Sequence, residues 1–191
     1  MQLSGCQYIL IGFESINSQT LKYIGKRFNK PIDYKHVVEA LHSRGISIQG
    51  CFVFGFDEDT TDVFERVINT VQELKIDIPR YSIYTPYPGT PLFQRLKKEG
   101  RILTYNWDNY DTMHVVYQPA NMTPERLYEG FKFAYEETFK FLNVAHRTLW
   151  TNRPSLINFV GNLVYLKFVY RLNHEERFRL PFMAKYKKEI L

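Results

Sequence analysis

Three apolar runs of strand length recur in the first hundred residues, with starts about 35 residues apart, the spacing of βα units. They are Tyr8–Phe13, Ile46–Phe54 and Tyr81–Thr85. Nearly continuous hydrophobicity is typical of strands covered on both faces, as in a parallel sheet, rather than of half-solvated hairpins. This feature predicts an α/β fold.

Amphipathic helical patterns follow the second and third runs and also precede the second. They cover Tyr34–Ser43, Asp62–Leu74 and Pro91–Lys98. Three consecutive βα units predict a parallel sheet or part of a (βα) barrel. Beyond residue 100 the sequence becomes irregular, with a short run at 113–117 that suits a strand. It then becomes helical, and we expect one helix from Thr123 to about Asn143 and another over residues 154–172. We therefore expect a partial (βα) barrel with about three parallel βα units in residues 1–100, followed by a mainly helical C-terminal extension in residues 101–191.

Functional residues of parallel α/β folds lie at the carboxyl ends of the strands. The first such loop contains Glu14, directly after an apolar strand. An unpaired buried carboxylate is costly, so Glu14 either caps the next helix or accepts hydrogen bonds from a ligand. The second loop combines Gly55, which would allow close backbone approach, with an acidic cluster that could instead stabilise the first turn of a helix.

The third loop, residues 84–91, contains three prolines and the turn signal Pro88-Gly89. Such a stiff segment suits either a ligand cradle or a tight structural turn. No histidine pair has metal-ligand spacing and no serine–histidine–acid order stands out, so we assign neither a metal site nor a catalytic residue.

Cysteine use and hydropathy limit the location of the chain. Cys6 and Cys51 are its two cysteines, which argues against a disulfide scaffold and favours a reducing cytoplasm. The longest apolar stretch, Ile157–Tyr170, is interrupted by polar residues and is too short to span a bilayer. Aromatic residues make up 16% of the chain, which favours a hydrophobic small-molecule substrate or buried aromatic clusters.

Positive charge is concentrated at the C-terminal end. Residues 145–191 hold nine Lys or Arg and three Glu, a balance of +6 within a chain of net charge +5. Such a segment can meet phosphates, anionic lipid or an acidic partner, but a solvated helical face is the more common reason for it. Its cations are mixed with apolar residues, which speaks against a nucleic-acid interface.

Taken together, the three strand-end loops resemble radical S-adenosylmethionine enzymes. Residues 4–26 are similar to the fourth barrel strand and following helix of that family, residues 45–60 to the fifth strand, and residues 84–92 to the sixth. The similarity is closest to the cobalamin-binding branch and continues into its helical extension from Met122 onward. The family's fifth-strand pattern GxIxGxxE is matched by residues 51–58, with Cys51 in place of the first glycine.

The resemblance implies a set of contacts to S-adenosylmethionine. They fall on Glu14, Ser15, Val53, Gly55, Glu58, Tyr84 and Thr85. Val53 would pack on the adenine, and Gly55 would permit close approach. Glu14 and Ser15 would lie near the ribose or methionine portion, while Tyr84 and Thr85 would border the adenine through backbone contacts.

The resemblance also implies cofactors that this sequence cannot hold. The family's CxxxCxxC motif, whose thiolates bind a [4Fe–4S] cluster, precedes these strands, and Cys6 and Cys51 cannot supply it. We expect the cluster and cobalamin only with an N-terminal part that carries the first half of the barrel, on the same or a separate chain.

The implied function is part of a radical S-adenosylmethionine enzyme that methylates or rearranges an unactivated carbon. This chain would contribute some of the S-adenosylmethionine and substrate site, and the substrate would be hydrophobic, such as a polyprenoid or tetrapyrrole. Two alternatives stay open: a radical methylthiotransferase acting on RNA or protein, and a non-catalytic split subunit or pseudoenzyme that binds a partner. Whether the chain is an enzyme by itself is left open at this stage.

Overall fold

The three predicted apolar runs form one parallel sheet in the computed structural model, which describes residues 2–149 and 155–174. The strands are β1 (Tyr8–Glu14), β2 (Ser47–Phe54) and β3 (Ile78–Ile83). The helices of the described residues are α1 (Ser18–Tyr23), α2 (Tyr34–His42), α3 (Val63–Glu73), α4 (Pro91–Lys98), α5 (Pro124–Thr138), α6 (Phe141–Leu149) and α7 (Ser155–His174). The predicted α/β class is confirmed.

The strand order is β1-β2-β3, so β2 is central. Gly12 lies beside Cys51, and Cys51 lies beside Arg80. β3 begins at Ile78, before the predicted start at Tyr81. Pro79 is tolerated inside this strand because β3 is an edge strand and the backbone nitrogen of Pro79 faces away from β2. The missing N–H therefore breaks no ladder hydrogen bond.

The two faces of the sheet differ in burial, contrary to the expectation that both would be covered. Ile48, Phe52 and Phe54 point toward the helices and are fully buried. On the opposite face of the same strand Cys51 and Val53 are only half-buried. Alternation along the strand therefore gives a helix-packed face and a partly open face. Below, "the open face" means the face that carries Cys51 and Val53.

The two edges of the sheet also differ. At the outer edge of β3 the Tyr135 hydroxyl accepts a hydrogen bond from Tyr81 N (3.1 Å) and donates one to Tyr81 O (2.9 Å). Ile83 N donates to Thr112 O at 2.7 Å. These contacts block the edge, as proteins commonly do with exposed strands. Within the described residues, no strand pairs with the outer edge of β1.

The C-terminal extension departs from the sequence prediction in two places. A single helix was expected from Thr123 to about Asn143, but the chain breaks after Thr138 and α6 starts at Phe141. The expected short strand at 113–117 is reduced to one antiparallel bridge between Ile102 and Tyr117. The last helix was predicted at 154–172 and matches α7 closely; the basic residues beyond His174 lie outside the described residues.

A buried polar network joins this extension to the base of the sheet. The fully buried Asp77 carboxylate accepts hydrogen bonds from Ile48 N (2.9 Å) and Asn158 Nδ2 (3.0 Å), and lies 2.9 Å from His42 Nε2. The backbone carbonyl oxygen of Asp77 accepts a hydrogen bond from Asn162 Nδ2. Buried polar groups need such partners, so this network fixes where α7 docks.

Arg147 extends the network into α6. Its guanidinium donates to Asn162 Oδ1 (2.7 and 2.9 Å) and to Thr138 O (2.6 Å), and lies over the Phe139 ring. Burial lowers the pKa of Arg147 to about 10. Since the group stays charged at neutral pH, its cation is stabilised by these acceptors rather than by water.

The outward side of α7 is apolar, and its inward side combines the buried Asn158 and Asn162 with core residues such as Leu172. Large side chains that solvent reaches on this helix are Leu156, Ile157, Phe159, Val160, Leu163, Val164 and Tyr170. Contiguous apolar surface of this kind is typical of interaction surfaces. Nonetheless, within the two described ranges no helix has the length and hydropathy that crossing a bilayer requires.

Candidate functional site

The three predicted loops meet at the carboxyl ends of adjacent strands. Glu14 of β1 lies beside Phe52 of β2, and Tyr84 N, just after β3, donates to Phe54 O at 2.8 Å. Parallel strands bring their carboxyl ends to one edge, so residues up to 70 positions apart in sequence share one rim of the sheet.

Glu14 has an unusual backbone and a close cation. It sits at a bulge between β1 and β2 with φ +65°, a conformation that non-glycine residues adopt at a cost of about 1 kcal/mol. Its carboxylate folds over Gly12 and pairs with Lys26 Nζ at 2.5 Å. The helix-cap alternative is excluded, because Asn17 Oδ1 caps α1 by accepting from Gln19 N. Strain at a strand end with a partly exposed carboxylate is typical of ligand sites.

Ser15 is buried and engaged within its own loop. Its hydroxyl accepts from Asn17 N at 3.0 Å, and its carbonyl oxygen accepts from the Tyr34 hydroxyl at 2.8 Å. The structure therefore places Ser15 beneath Glu14 as a support for the loop.

Asp59 organises the second loop, a role that sequence reasoning missed. Its buried carboxylate accepts from Gly55 N (2.9 Å) and Phe56 N (3.1 Å). Burial raises the pKa of Asp59 to about 6, and the two N–H donors oppose that rise. The only sequence signal was an acid four residues after a glycine at a strand end.

The neighbouring acids have separate partners. Asp57 pairs with Arg95 (2.7 Å) and Arg101 (2.6 Å). Burial raises the pKa of Asp57, but the hydrogen bonds from the two arginines outweigh it and hold the pKa below its usual value. Glu58 accepts from Thr20 Oγ1 at 3.1 Å. In the part of the chain that the structure describes, no three His, Cys, Asp or Glu side chains gather as a metal site.

Gly55 is required by packing within the chain. Its φ is +100°, and a Cβ there would stand 2.5 Å from the Tyr117 hydroxyl oxygen and 2.8 Å from a Leu127 methyl. The Tyr117 hydroxyl also donates to Gly55 O. The extension thus packs directly under the rim at this point, so the glycine has a structural cause besides the close approach expected from sequence.

The third loop combines a partly exposed ring with a tight turn. Tyr84 is half-buried, its ring centroid is 4.4 Å from that of Phe56, and burial raises its pKa. Thr85 is buried, and its hydroxyl donates to Ile83 O at 3.0 Å. Thr90 caps α4 by accepting from Phe93 N. Of these two predicted residues, Tyr84 has a side chain partly exposed at the rim, whereas Thr85 is buried and stabilises the turn through its hydrogen bond.

Val53 completes the open face below the rim. It is half-buried and lies beside Ser82 of β3, while Cys51 occupies the row beneath, between Gly12 and Arg80. A half-buried valine near a carboxylate acceptor and an aromatic ring fits a nucleoside, which needs an apolar surface for its base and acceptors for its hydroxyl groups. The two cysteines of the chain do not fit a cluster that needs three thiolates.

Comparison with known proteins found no matching family model. Curated relatives do match. The chain is 39% identical over 137 residues to bacteriochlorophyllide d C-12(1)-methyltransferase and 30% identical over 165 residues to bacteriochlorophyllide d C-8(2)-methyltransferase, both of Chlorobaculum tepidum. It is 25% identical over 136 residues to the anaerobic magnesium-protoporphyrin IX monomethyl ester cyclase of Cereibacter sphaeroides.

These matches cover 72%, 86% and 71% of this chain but only 30%, 36% and 22% of the relatives. The chain therefore spans between about a fifth and about a third of the length of these curated relatives. These relatives support the radical S-adenosylmethionine family that the three strand-end loops resemble. Within that class, its relatives are methyltransferases and a cyclase.

Proposed function

We propose that this chain forms the C-terminal half of a radical S-adenosylmethionine barrel and contributes part of its cofactor and substrate site. The parent enzyme would be of the cobalamin-binding type and would methylate or rearrange an unactivated carbon. The observation that carries the proposal is the convergence of Glu14 and Tyr84 on one rim of a parallel sheet, with Val53 on the open face next to that rim.

Each rim residue has a definite role in this proposal. Val53 supports the adenine, and Glu14 accepts hydrogen bonds from the ribose or amino group. Lys26 holds the Glu14 carboxylate in place, since the two are paired at 2.5 Å. Asp59 fixes the backbone of the second loop, so that Gly55 and Phe56 keep their positions at the rim. The chemistry of the [4Fe–4S] cluster and cobalamin would come from the other half of the barrel.

Replacing Val53 with aspartate is expected to weaken S-adenosylmethionine binding at least about tenfold, because it places a charge where the adenine would pack. Isothermal titration calorimetry with S-adenosylmethionine measures this on the full chain. Val37→Asp is the matched control, since Val37 is 39% exposed on α2, away from the open face. Equal affinity of the Val53→Asp variant and the unchanged chain would refute the assigned cofactor face.

The partner in this proposal is the N-terminal half of the barrel, which would dock at β1. The outer edge of β3 is blocked by Tyr135 and Thr112, whereas no described strand pairs with the outer edge of β1. Leu10 of β1 is 55% exposed on the open side. The relatives are about three times longer than the matched stretch, so they have sufficient chain to supply the other strands.

The 191-residue chain expressed alone is expected to self-associate, because a free strand edge and apolar surface remain uncovered. Light scattering should give a mass well above 22.8 kDa. Leu10→Lys should lower that mass, since an edge lysine disfavours strand pairing, whereas Leu3→Lys, outside the sheet, should leave it unchanged. A clean monomer with cooperative melting would argue against a missing half.

For the substrate, the relatives named for bacteriochlorophyllide and magnesium-protoporphyrin support a large apolar ring system. A polar substrate turned over by the complete enzyme would contradict this.

Methylthiotransfer to RNA, the alternative that would use the basic C-terminal segment, predicts salt-sensitive RNA binding by the full chain.

A further inference from the structure

A cavity of about 250 Å³ lies between β3, the 111–113 segment and α7. Its apolar lining includes Met113, Val164, Tyr165 and Phe168, and its polar lining includes Arg80 and Asp111. The cavity opens beside the row of the open face that holds Cys51 and Arg80. None of these lining residues belongs to the three strand-end loops.

The aromatic wall of the cavity is held rigidly from behind. Tyr165 stacks on Tyr135 with ring centroids 6.1 Å apart, and Phe168 meets the same ring edge-on at 5.0 Å. The Tyr165 hydroxyl accepts a hydrogen bond from Gln49 Nε2 at 2.9 Å. A wall whose rings are already fixed loses little conformational entropy when a flat ligand packs on it.

The two charged residues of the lining differ in their partners. Asp111 lies 2.9 Å from His114 Nδ1 and accepts from Met113 N at 2.8 Å, so its carboxylate already has partners within its own segment. Arg80 is exposed and makes neither an ion pair nor a hydrogen bond with the described part of the chain. Exposed arginines are common, but this one stands at the mouth of an apolar cavity.

We propose that this cavity binds an apolar ring compound that carries a carboxylate, with Arg80 pairing the carboxylate and Tyr165 and Phe168 packing on the ring. Arginine suits this role, because its planar guanidinium binds a carboxylate through two parallel hydrogen bonds. The proposal rests on the function proposed above and names its substrate class.

The position of Arg80 relates the cavity to the cofactor face. Arg80 and Ser82 point to the same side of β3, about 7 Å apart along the strand, and Ser82 lies beside Val53. A ligand anchored at Arg80 therefore reaches the row next to the proposed adenine contact. The carboxylate would fix which edge of the substrate faces the cofactor, so Arg80 would be a specificity-determining residue.

The test uses 1-naphthaleneacetate and its neutral isostere 1-naphthaleneacetamide as probes of the full chain, in the absence of S-adenosylmethionine. The acid is expected to bind at least about tenfold more tightly than the amide at neutral pH, since a charge-assisted pair replaces a neutral one. Arg80→Met should abolish this preference and leave amide binding unchanged. Arg44→Met, which removes the same charge from an exposed position just after the end of α2, should retain the preference.

Equal binding of acid and amide by the unchanged chain would overturn the proposal, as would a preference that survives Arg80→Met. Failure of both probes to bind would overturn it too. Tyr165→Ala provides a second variant, because it should weaken acid and amide alike by removing the ring wall. Titrations of S-adenosylmethionine onto the Val53 variants are separate, so a wrong substrate class and a wrong cofactor face give different patterns.

Discussion

Replacement of Asp77 with alanine is expected to lower the free energy of unfolding by about 3–5 kcal/mol. The carboxylate is fully buried and serves Ile48 N, Asn158 Nδ2 and His42 together. Its removal leaves buried donors on β2 and α7 without an acceptor, and each such group loses its hydration without compensation. Urea unfolding followed by circular dichroism measures the change.

Asp33→Ala is the matched control, because Asp33 is exposed and its side chain caps no helix. It should change the free energy of unfolding by less than about 0.5 kcal/mol. Asp77→Asn should fall between the two, since it retains one acceptor oxygen and loses the charge. A small effect of Asp77→Ala would mean that α7 docks through its apolar contacts instead of this network.

The sequence predicted the sheet because strands and helices leave local signals. The runs of apolar residues located β1 and β2 to within one residue at either end. Proline at position 79 concealed the start of β3, since its compatibility depends on the strand being at an edge. The docking of α7 was not predictable, because Asn158 and Asn162 bind a residue 81 and 85 positions away.

The structure places Glu14 and Gly55 at strand ends as expected, but sequence analysis did not predict which partner each acid of the second loop has. The apolar runs ended just before Glu14 and Gly55, and a parallel sheet brings such strand ends to one edge. The sequence could not separate Asp57, Glu58 and Asp59, because their partners are a distant arginine pair, a threonine of α1 and the loop backbone respectively. Three adjacent acids therefore have three functions, which only the folded arrangement distinguishes.

The C-terminal extension packs against the rim at Gly55. Gly55→Ala is expected to lower the free energy of unfolding by about 2–4 kcal/mol, of which about 1 kcal/mol comes from its positive φ and the rest from overlap with Tyr117 and Leu127. Because Gly55 N is also held by Asp59, the displaced loop should bind S-adenosylmethionine more weakly as well. Urea unfolding and calorimetric titration of the same variant report both effects.

Gly89→Ala separates the two sources of this loss. Gly89 has a similar φ of +83° but open space where a Cβ would stand, so its replacement should cost only about 1 kcal/mol. Tyr117→Phe then tests the overlap directly, since it removes the atom closest to the added methyl group. In a double-mutant cycle, Gly55→Ala should be less damaging in the Tyr117→Phe background by about 0.5–3 kcal/mol. Equal losses for Gly55→Ala and Gly89→Ala, with no coupling to Tyr117, would show that backbone conformation alone requires glycine at the rim.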